Sequence, residues 1–517
     1  MSTPTFGGFR LDGILSRAAL THPQRPAVIF TDTEWSYAEV QDRACRLADG
    51  LARLGVGKGD RVALWIPNRP EFVEFLFGVS RLGAIAVLMD YWWTWDNAHA
   101  ALEKTRPKVL LVGASQAAMA SACSDQITAA GIEHILCMED APPGLAFDSY
   151  SDLLAASTPL HQVTPVQPDS PVVIFFTSGS TGRSKGAVHT HGSLISAAKT
   201  MSLELGLHDG ERTLHFLPLF TSCMEHLIPA TMMRATHVIL PKFDAGSVWE
   251  AIQTHRITHF NAIPTTLRRI LEVAPTAMPE SLRLITYASE RMPTPLITAL
   301  MDRMPEVKFV QFYGMTEQLC LTVLDYSDQL RKIGTIGRPM TGAELYLRHP
   351  DGDARVDSGA GEIVARSPSL FAGYWQDESA TAQVMLDGWL RTGDLGHFDD
   401  EGFLTLDGRA KEMIKSGGLT VIPSEVEGIL TDHPKISEAV VVGIPDDSWG
   451  EAVHAYVILN PGVSIDESEI KSFCKDRLAA YKTPKVIHIV KELPKTGIGK
   501  VARRQVREQI LARVEST

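Results

Sequence analysis

Thr177-Ser178-Gly179-Ser180-Thr181-Gly182-Arg183-Ser184-Lys185-Gly186 follows directly on Val172-Val173-Ile174-Phe175-Phe176. The apolar run has strand length and no alternation, so it predicts a strand buried on both faces, as in a parallel α/β sheet. The cluster behind it sets hydroxyls, glycines and a lysine at the end of that strand. Backbone N–H groups and hydroxyls in such a loop present donors to an anion. The glycines allow close approach, and Lys185 adds a point charge. The spacing is not that of a P-loop: Ser184 stands five residues after Gly179, and Gly186 follows Lys185. A flexible linker is the weaker reading, because linkers are not joined to a buried strand. The stretch predicts a phosphate-handling loop.

Working outward, residues 10–110 alternate amphipathic helices with short apolar strands. Helices are expected over 38–54 and 71–82, and strands over 61–66 and 108–112. The rhythm resumes with strands expected at 237–240, 259–263, 282–287 and 308–312, the βαβ pattern of doubly wound sheets. From about 334 to 406 short β segments with Asp-Gly and Glu-Gly turns predict a small antiparallel sheet or barrel. After Arg409 the pattern becomes α+β, with strands expected at 438–443 and 453–459 and a helix at 467–478.

A chain of 517 residues exceeds one core, and 44% hydrophobic with 21% charged residues is ordinary globular composition. The first residues lack a signal-peptide pattern, and the apolar stretch 72–89 is broken by Glu74 and Arg81, which excludes a membrane span there. Six scattered cysteines without a C-x-x-C pair argue for reduced thiols in a cytoplasm, with neither zinc site nor disulfide framework. A net charge of −12 speaks against general nucleic-acid or membrane binding. From Lys471 onward, however, 12 basic residues face 4 acidic ones. That excess fits either a solvated helix face or an approach to a phosphorylated partner.

Three further segments carry chemistry. Gln311-Phe312-Tyr313-Gly314-Met315-Thr316-Glu317 ends a strand with an aromatic, a hydroxyl and a carboxylate, where doubly wound sheets bind ligands. The aromatic suits a base and the carboxylate suits Mg²⁺. Gly388-Trp389-Leu390-Arg391-Thr392-Gly393-Asp394, followed by residues 406–418, offers Asp394 as an acceptor for ribose hydroxyls. Leu493-Pro494-Lys495-Thr496-Gly497-Ile498-Gly499-Lys500 places a lysine at the end of a glycine-containing loop.

In this order and spacing the four segments resemble the AMP-forming adenylate ligase superfamily of acyl-CoA synthetases, peptide-synthetase adenylation domains and firefly luciferase, over about residues 10–510. The resemblance implies an α/β fold: a large N-terminal domain over 1–407, built of two βαβ sheets plus a small β-barrel at about 334–406. A hinge at 408–411 and a mobile α+β C-terminal domain over 412–517 complete it. It implies that Thr177, Ser178, Gly179, Ser180, Thr181, Gly182 and Lys185 grip the β/γ-phosphates. Gln311 meets the adenine amine, Tyr313 stacks on adenine, and Phe312, Gly314 and Met315 complete that nucleotide-binding segment. Thr316 touches the α-phosphate, Glu317 binds Mg²⁺ with Thr177, and Asp394 and Arg409 hold the ribose. Lys500 bridges the α-phosphate and the acyl carboxylate, so Lys500, Glu317 and Thr316 are the catalytic set. Lys411 matches the hinge position, and Lys415, Ser416, Gly417 and Gly418 match the CoA-binding strand used after the small domain rotates. The implied reaction joins a carboxylic acid to CoA through an acyl-adenylate, using ATP, Mg²⁺ and coenzyme A. The partner is a small-molecule acid, and homodimerisation stays open.

Three departures bear on specificity. Ala288-Ser289-Glu290-Arg291-Met292-Pro293 stands where relatives have a Gly-Ala-Ala-Pro type segment touching adenine and the α-phosphate. The side chains of Glu290 and Arg291 are expected to point outward, since a buried unpaired charge is costly. Thr221 stands where a gating histidine is frequent; His226 either substitutes for it or is structural. Asp90-Tyr91-Trp92-Trp93-Thr94-Trp95 replaces an Asn-Pro and aliphatic stretch and reads as subdomain packing. Thr221, His226, Asn261 and Tyr287 are expected to line the acyl pocket, which favours a small or polar acid. Two other functions fit the same motifs less well: a stand-alone enzyme loading a carrier protein, and a non-catalytic nucleotide- or acyl-binding relative.

Overall fold

The structure is a computed structural model that describes residues 10–139, 147–177, 184–349, 352, 354–356, 359–409, 412–446, 448–495, 501 and 503–514. Strands Ile85–Leu88, Arg61–Trp65, Val109–Val112, His134–Cys137 and Asp148–Ser149 run parallel beside Pro171–Thr177. The sheet is extended on its other side by the antiparallel strands Lys185–Thr190 and Gly373–Tyr374. A second sheet carries six parallel strands in the order Lys308–Met315, Leu284–Tyr287, His259–Ala262, Arg212–His215, Thr236–Ile239 and Pro26–Phe30, with antiparallel strands at both ends.

Burial on both faces explains why these strands read as near-continuous apolar runs. One face of the first sheet (Val62, Leu64, Leu88, Phe175) packs on helices Leu11–Thr21, Tyr37–Arg53, Glu71–Arg81 and His191–Glu204. The other face (Ala63, Trp65, Val87, Ile174) packs on Trp95–Thr105 and Ala114–Ala122. In the second sheet Phe260, Ile285, Tyr287 and Phe309 pack on helices Ala245–His255, Pro264–Glu272 and Thr294–Arg303. Its opposite face turns Leu284, Val310 and Phe312 toward helix His191–Glu204. Local chemistry agrees with this layering. Helix Tyr37–Arg53 opens on a capping box in which Ser36 N donates to Glu39 Oε2 at 2.7 Å and Glu39 N donates to Ser36 Oγ at 3.3 Å.

Strands Glu344–Arg348, Gly361–Arg366, Trp389–Phe398, Met385–Leu386 and Leu404–Arg409 form an antiparallel sheet. Among the described residues the pairings of this unit do not close into a ring. Beyond it, Ile414–Ser416, Leu419–Val421, Ile436–Asp446, Gly450–Leu459 and Val486–Ile489 form a separate sheet against helices Pro423–Thr431 and Glu467–Lys475. That is the α+β unit expected from the sequence. No described helix is long and apolar enough to cross a membrane.

Candidate active site

The decisive stretch is a hairpin. Strand Pro171–Thr177 pairs antiparallel with Lys185–Thr190, so Thr177 lies opposite Lys185 at its mouth. Ser178, Gly179, Ser180, Thr181 and Gly182 lie outside the described residues. Lys185 Nζ sits 4.9 Å over the ring of Tyr374, and the Tyr374 hydroxyl donates to Glu317 Oε1 at 2.6 Å. Burial, reinforced by the Glu317 charge, pushes the Tyr374 phenol well above its ordinary range, so it remains a donor. Glu317 is buried, with one carboxylate oxygen committed to Tyr374. Tyr374 had no motif to mark it; its role appears only because Gly373–Tyr374 pairs with Lys185–Thr190.

His189, also unmarked in the sequence, donates from Nε2 to the carbonyl of Thr316 at 2.7 Å. Burial lowers its pKa to about 4, so the bond is made by a neutral imidazole. The hairpin thereby fixes both Thr316 and Glu317. Just before them, Gly314 near the end of strand Lys308–Met315 admits the return strand: a Cβ there would lie 1.5 Å from the Leu319 carbonyl.

Tyr313 and Asp394 meet. The Tyr313 hydroxyl donates to Asp394 Oδ2 at 2.6 Å, and Arg409 Nε donates to Asp394 Oδ1 at 2.9 Å. Asp394 and Arg409 are direct partners on adjacent strands, so the sheet sets their approach. Gln311 is buried on the same face of its strand as Tyr313. Phe312, expected in the nucleotide set, projects the other way into the core with Val310 and Cys320. Its ring sits 6.1 Å from His226 instead.

Ser289 has φ +77°, a left-handed backbone that favours glycine, and it is exposed. Arg291 points outward as expected and crosses to the C-terminal unit. Its Nη2 lies 3.9 Å from Asp432 Oδ2, and its Nη1 occupies the place a Cβ on Gly428 would need, 1.2 Å away. Glu290 beside it is half-buried.

Of the residues expected at the acyl pocket, the structure brings some together and not others. Asn261 and His226 come together through Thr286, whose hydroxyl lies 3.1 Å from Asn261 Oδ1 and 3.0 Å from His226 Nε2. Tyr287 is a correction: it faces the opposite side, with its hydroxyl donating to Gln329 Oε1 at 2.6 Å. Thr286 takes its place. Thr221 is half-buried and turns its hydroxyl back to the Pro218 carbonyl at 3.1 Å. His226 lies in a π-helical turn, Cys223–Leu227.

In the C-terminal unit Gly417 and Gly418 (φ +60° and +78°) form the two-residue turn between Ile414–Ser416 and Leu419–Val421. Two left-handed residues are what a tight I′ hairpin requires. Gly417 N donates to the Trp449 carbonyl at 2.7 Å, and Lys415 N donates to Glu451 Oε2 at 2.9 Å. Lys411 and Lys500 lie outside the described residues.

Residues 15–375 match the family described as AMP-binding enzyme, and 425–500 match its C-terminal domain. The chain is 34% identical over 513 residues to the long-chain-fatty-acid–CoA ligase FadD13 of Mycobacterium tuberculosis (97% of this chain, 98% of that one). It is 36% identical over 507 residues to the indoleacetate–CoA ligase of Aromatoleum aromaticum (96% and 98%). The solved anthranilate CoA ligase AuaEII, in complex with anthranoyl-AMP, superposes with a TM-score of 0.90 at 28% identity, covering 98% of both chains.

Proposed function

The chain belongs to the AMP-binding enzyme family and is an ATP-dependent acid–CoA ligase working through an acyl-adenylate; from that premise we propose that its acid is small or polar and that the residues named above perform the two half-reactions. The observation that carries the acid class is the polar set His226, Thr286 and Asn261, all buried on the pocket side of the second sheet. A long saturated chain would leave the one unpartnered atom of that set, His226 Nδ1, unpaired. Relatives named for indoleacetate, ferulate and 2-succinylbenzoate agree with that class, whereas the relative named for long-chain fatty acids does not, so the polar set carries the reading.

In the first half-reaction a carboxylate oxygen attacks the α-phosphorus, the bond to the β-phosphate oxygen breaks, and pyrophosphate leaves. Two unit charges 4 Å apart repel by about 4 kcal/mol at an effective dielectric of about 20, on the order of a thousandfold in rate. Lys500 sets a cation between the two anions and reverses the sign of that term. His189 holds Thr316, and Tyr374 holds Glu317, so neither must reorganise as charge shifts. One carboxylate and one hydroxyl, Glu317 and Thr177, suit Mg²⁺, which takes few protein ligands beside phosphate and water. Bound there, the ion would neutralise phosphate charge. Asp394 and Arg409 orient the ribose, and Gln311 and Tyr313 the adenine.

In the second half-reaction the CoA thiolate attacks the acyl carbon, and AMP leaves with the electron pair of the anhydride bond. A thiol of pKa about 8.5 supplies enough thiolate at neutral pH without a strong protein base. Lys500 must then be withdrawn, which is the reason for a small domain, 412–517, turning about a hinge at 408–411. Lys415 to Gly418 approach the pantetheine arm in that second pose, and the basic excess after Lys471 meets the CoA phosphates. Six free cysteines agree with a reducing, cytoplasmic setting.

The test is a panel of carboxylic acids with ATP and CoA, following pyrophosphate and thioester separately. Both products are expected with short or polar acids. Preference for long saturated chains refutes the acid class. Pyrophosphate without thioester shifts the acceptor to a carrier protein.

A further inference from the structure

Within the acid-binding side of the second sheet, Leu214, His215, Phe216, Leu217, Ser222, His226 and Asn261 line a small cavity of about 10 Å³. Asn261 and His215 lie near the carboxyl ends of neighbouring strands, where doubly wound sheets take their ligands. What the polar lining can bind follows from the hydrogen bonds behind it.

Asn261 Nδ2 donates to Glu225 Oε2 at 3.4 Å, which leaves Oδ1 as the acceptor facing Thr286. The Thr286 hydroxyl therefore gives its proton to Asn261. His226 Nε2, 3.0 Å from the same hydroxyl, must then be the donor to it. His226 is 1% exposed and burial lowers its pKa to about 3, so the ring is neutral and its single proton is on Nε2. Nδ1 is left as a bare acceptor, buried and without a partner. A parallel relay fixes His215. Thr231 donates to the Leu227 carbonyl at 2.7 Å, His237 Nε2 donates to Thr231, and His215 Nε2 donates to His237 Nδ1, both at 3.0 Å. His215, also held neutral by burial, thus keeps its own Nδ1 as an acceptor. Ser222 spends its proton on the Pro218 carbonyl at 2.9 Å.

Every imidazole and hydroxyl proton along the two relays and on Ser222 is spent on a protein acceptor. We propose that this cavity is a specificity subsite in which the bare Nδ1 of His226 accepts a hydrogen bond from a hydroxyl or amino substituent of the acid. The proposal rests on the acid–CoA ligase reading of the same cleft and narrows its substrate to carboxylic acids bearing a donor away from the carboxyl group. A cavity of that size holds about one water-sized group, so it takes a hydroxyl or amino substituent and neither a ring nor an alkyl chain. The π-helical turn is what brings His226 to this spot, and such turns concentrate at functional positions.

The test compares hydroxybenzoates and aminobenzoates at each ring position with their methoxy counterparts, with benzoate and with palmitate, reading kcat/KM for pyrophosphate release. At one ring position the donor-bearing acids should exceed both methoxybenzoate and benzoate by tenfold or more. In His226→Phe that ratio should fall to near one, and His226→Gln, which keeps an acceptor, should restore part of it. The wild-type ratio alone is decisive should the variants misfold. Equal kcat/KM for donor-bearing and donor-free benzoates overturns the subsite and leaves the ligase reading intact. Turnover of palmitate alone overturns the polar-acid class and the subsite with it, and pyrophosphate release with none of these acids overturns both.

Discussion

His237 should make this protein acid-sensitive by an amount that one substitution can isolate. It is 1% exposed on strand Thr236–Ile239, accepts from His215 and donates to Thr231. Burial, with the imidazole of His259 secondary, lowers its pKa to about 3. The unfolded chain takes up this proton near pH 6.5, the folded protein only near pH 3, so lowering the pH through that window favours unfolding. Each pH unit below about 6.5 costs about 1.4 kcal/mol, so going from pH 7 to pH 5 costs about 2 kcal/mol. A pH scan of the wild type alone mixes signs. Burial raises Glu74 to about 7 and Glu427 to about 8, and carboxyls shifted upward gain stability as pH falls. The difference between wild type and His237→Asn removes those contributions, because both proteins carry them. Urea unfolding at pH 7 should show the variant less stable by about 1–2 kcal/mol, through the lost bond to Thr231. At pH 5 the gap should close or reverse, because asparagine does not titrate. A gap of the same size at both pH values refutes the reasoning, since it means His237 takes up its proton alike in the folded and unfolded states.

Tyr374→Phe removes the donor that holds Glu317; pyrophosphate release should slow by roughly 10- to 100-fold, the worth of one hydrogen bond to a charged group. The Mg²⁺ requirement should rise with it and folding should be unaffected, whereas unchanged Mg²⁺ dependence removes Tyr374 from the site. Gly428→Ala places a methyl where the Arg291 guanidinium lies. That variant, Arg291→Ala and the double variant should all change the ratio of the two half-reaction rates alike, by less than about fivefold for a half-exposed pair; additive effects contradict the shared contact. Lys500→Ala should abolish adenylation yet allow preformed acyl-AMP to react with CoA, measured as thioester release. Equal loss of both steps argues against two poses.

Much of this site was legible, and its gaps have physical causes. The apolar run 172–176 announced its strand because both faces are buried, and glycines and hydroxyls behind it announced an anion loop. Lys185–Thr190 reads as no strand in the sequence: it has no alternation, and the Nε2 partner of its His189, the Thr316 carbonyl, is distant in sequence. Tyr374 reaches Glu317 only through strand pairing, which no local pattern encodes. Tyr287 and Thr286 differ by one position and therefore by face. In a strand buried on both sides, as Leu284–Tyr287 is, composition does not say which face meets the ligand. The Asp394–Arg409 pair was readable because motif order fixed both residues, although their partnership across the sheet was not.

That same pair limits where any swing can begin. Arg409 is still a strand residue, registered on Asp394 and bonded to it, while Asp394 also receives Tyr313 from the other large sheet. Turning the chain before Arg409 would tear out a ladder position and the ribose-side carboxylate together. Turning it beyond Arg409 leaves the nucleotide residues intact. Described contacts across the junction are small: Arg291 to Asp432, Arg268 Nη2 to the Ser437 carbonyl at 3.4 Å, and Ser424 Oγ to the Asp407 carbonyl at 2.5 Å. Each is of the kind worth about 1 kcal/mol or less when half-exposed. In the proposed two-pose cycle a rotation that exchanges a few such contacts for others costs little, and the residues proposed to hold the adenylate, Tyr313, Asp394 and Arg409, keep their mutual bonds while the unit proposed to carry the catalytic lysine leaves and the Gly417–Gly418 turn arrives.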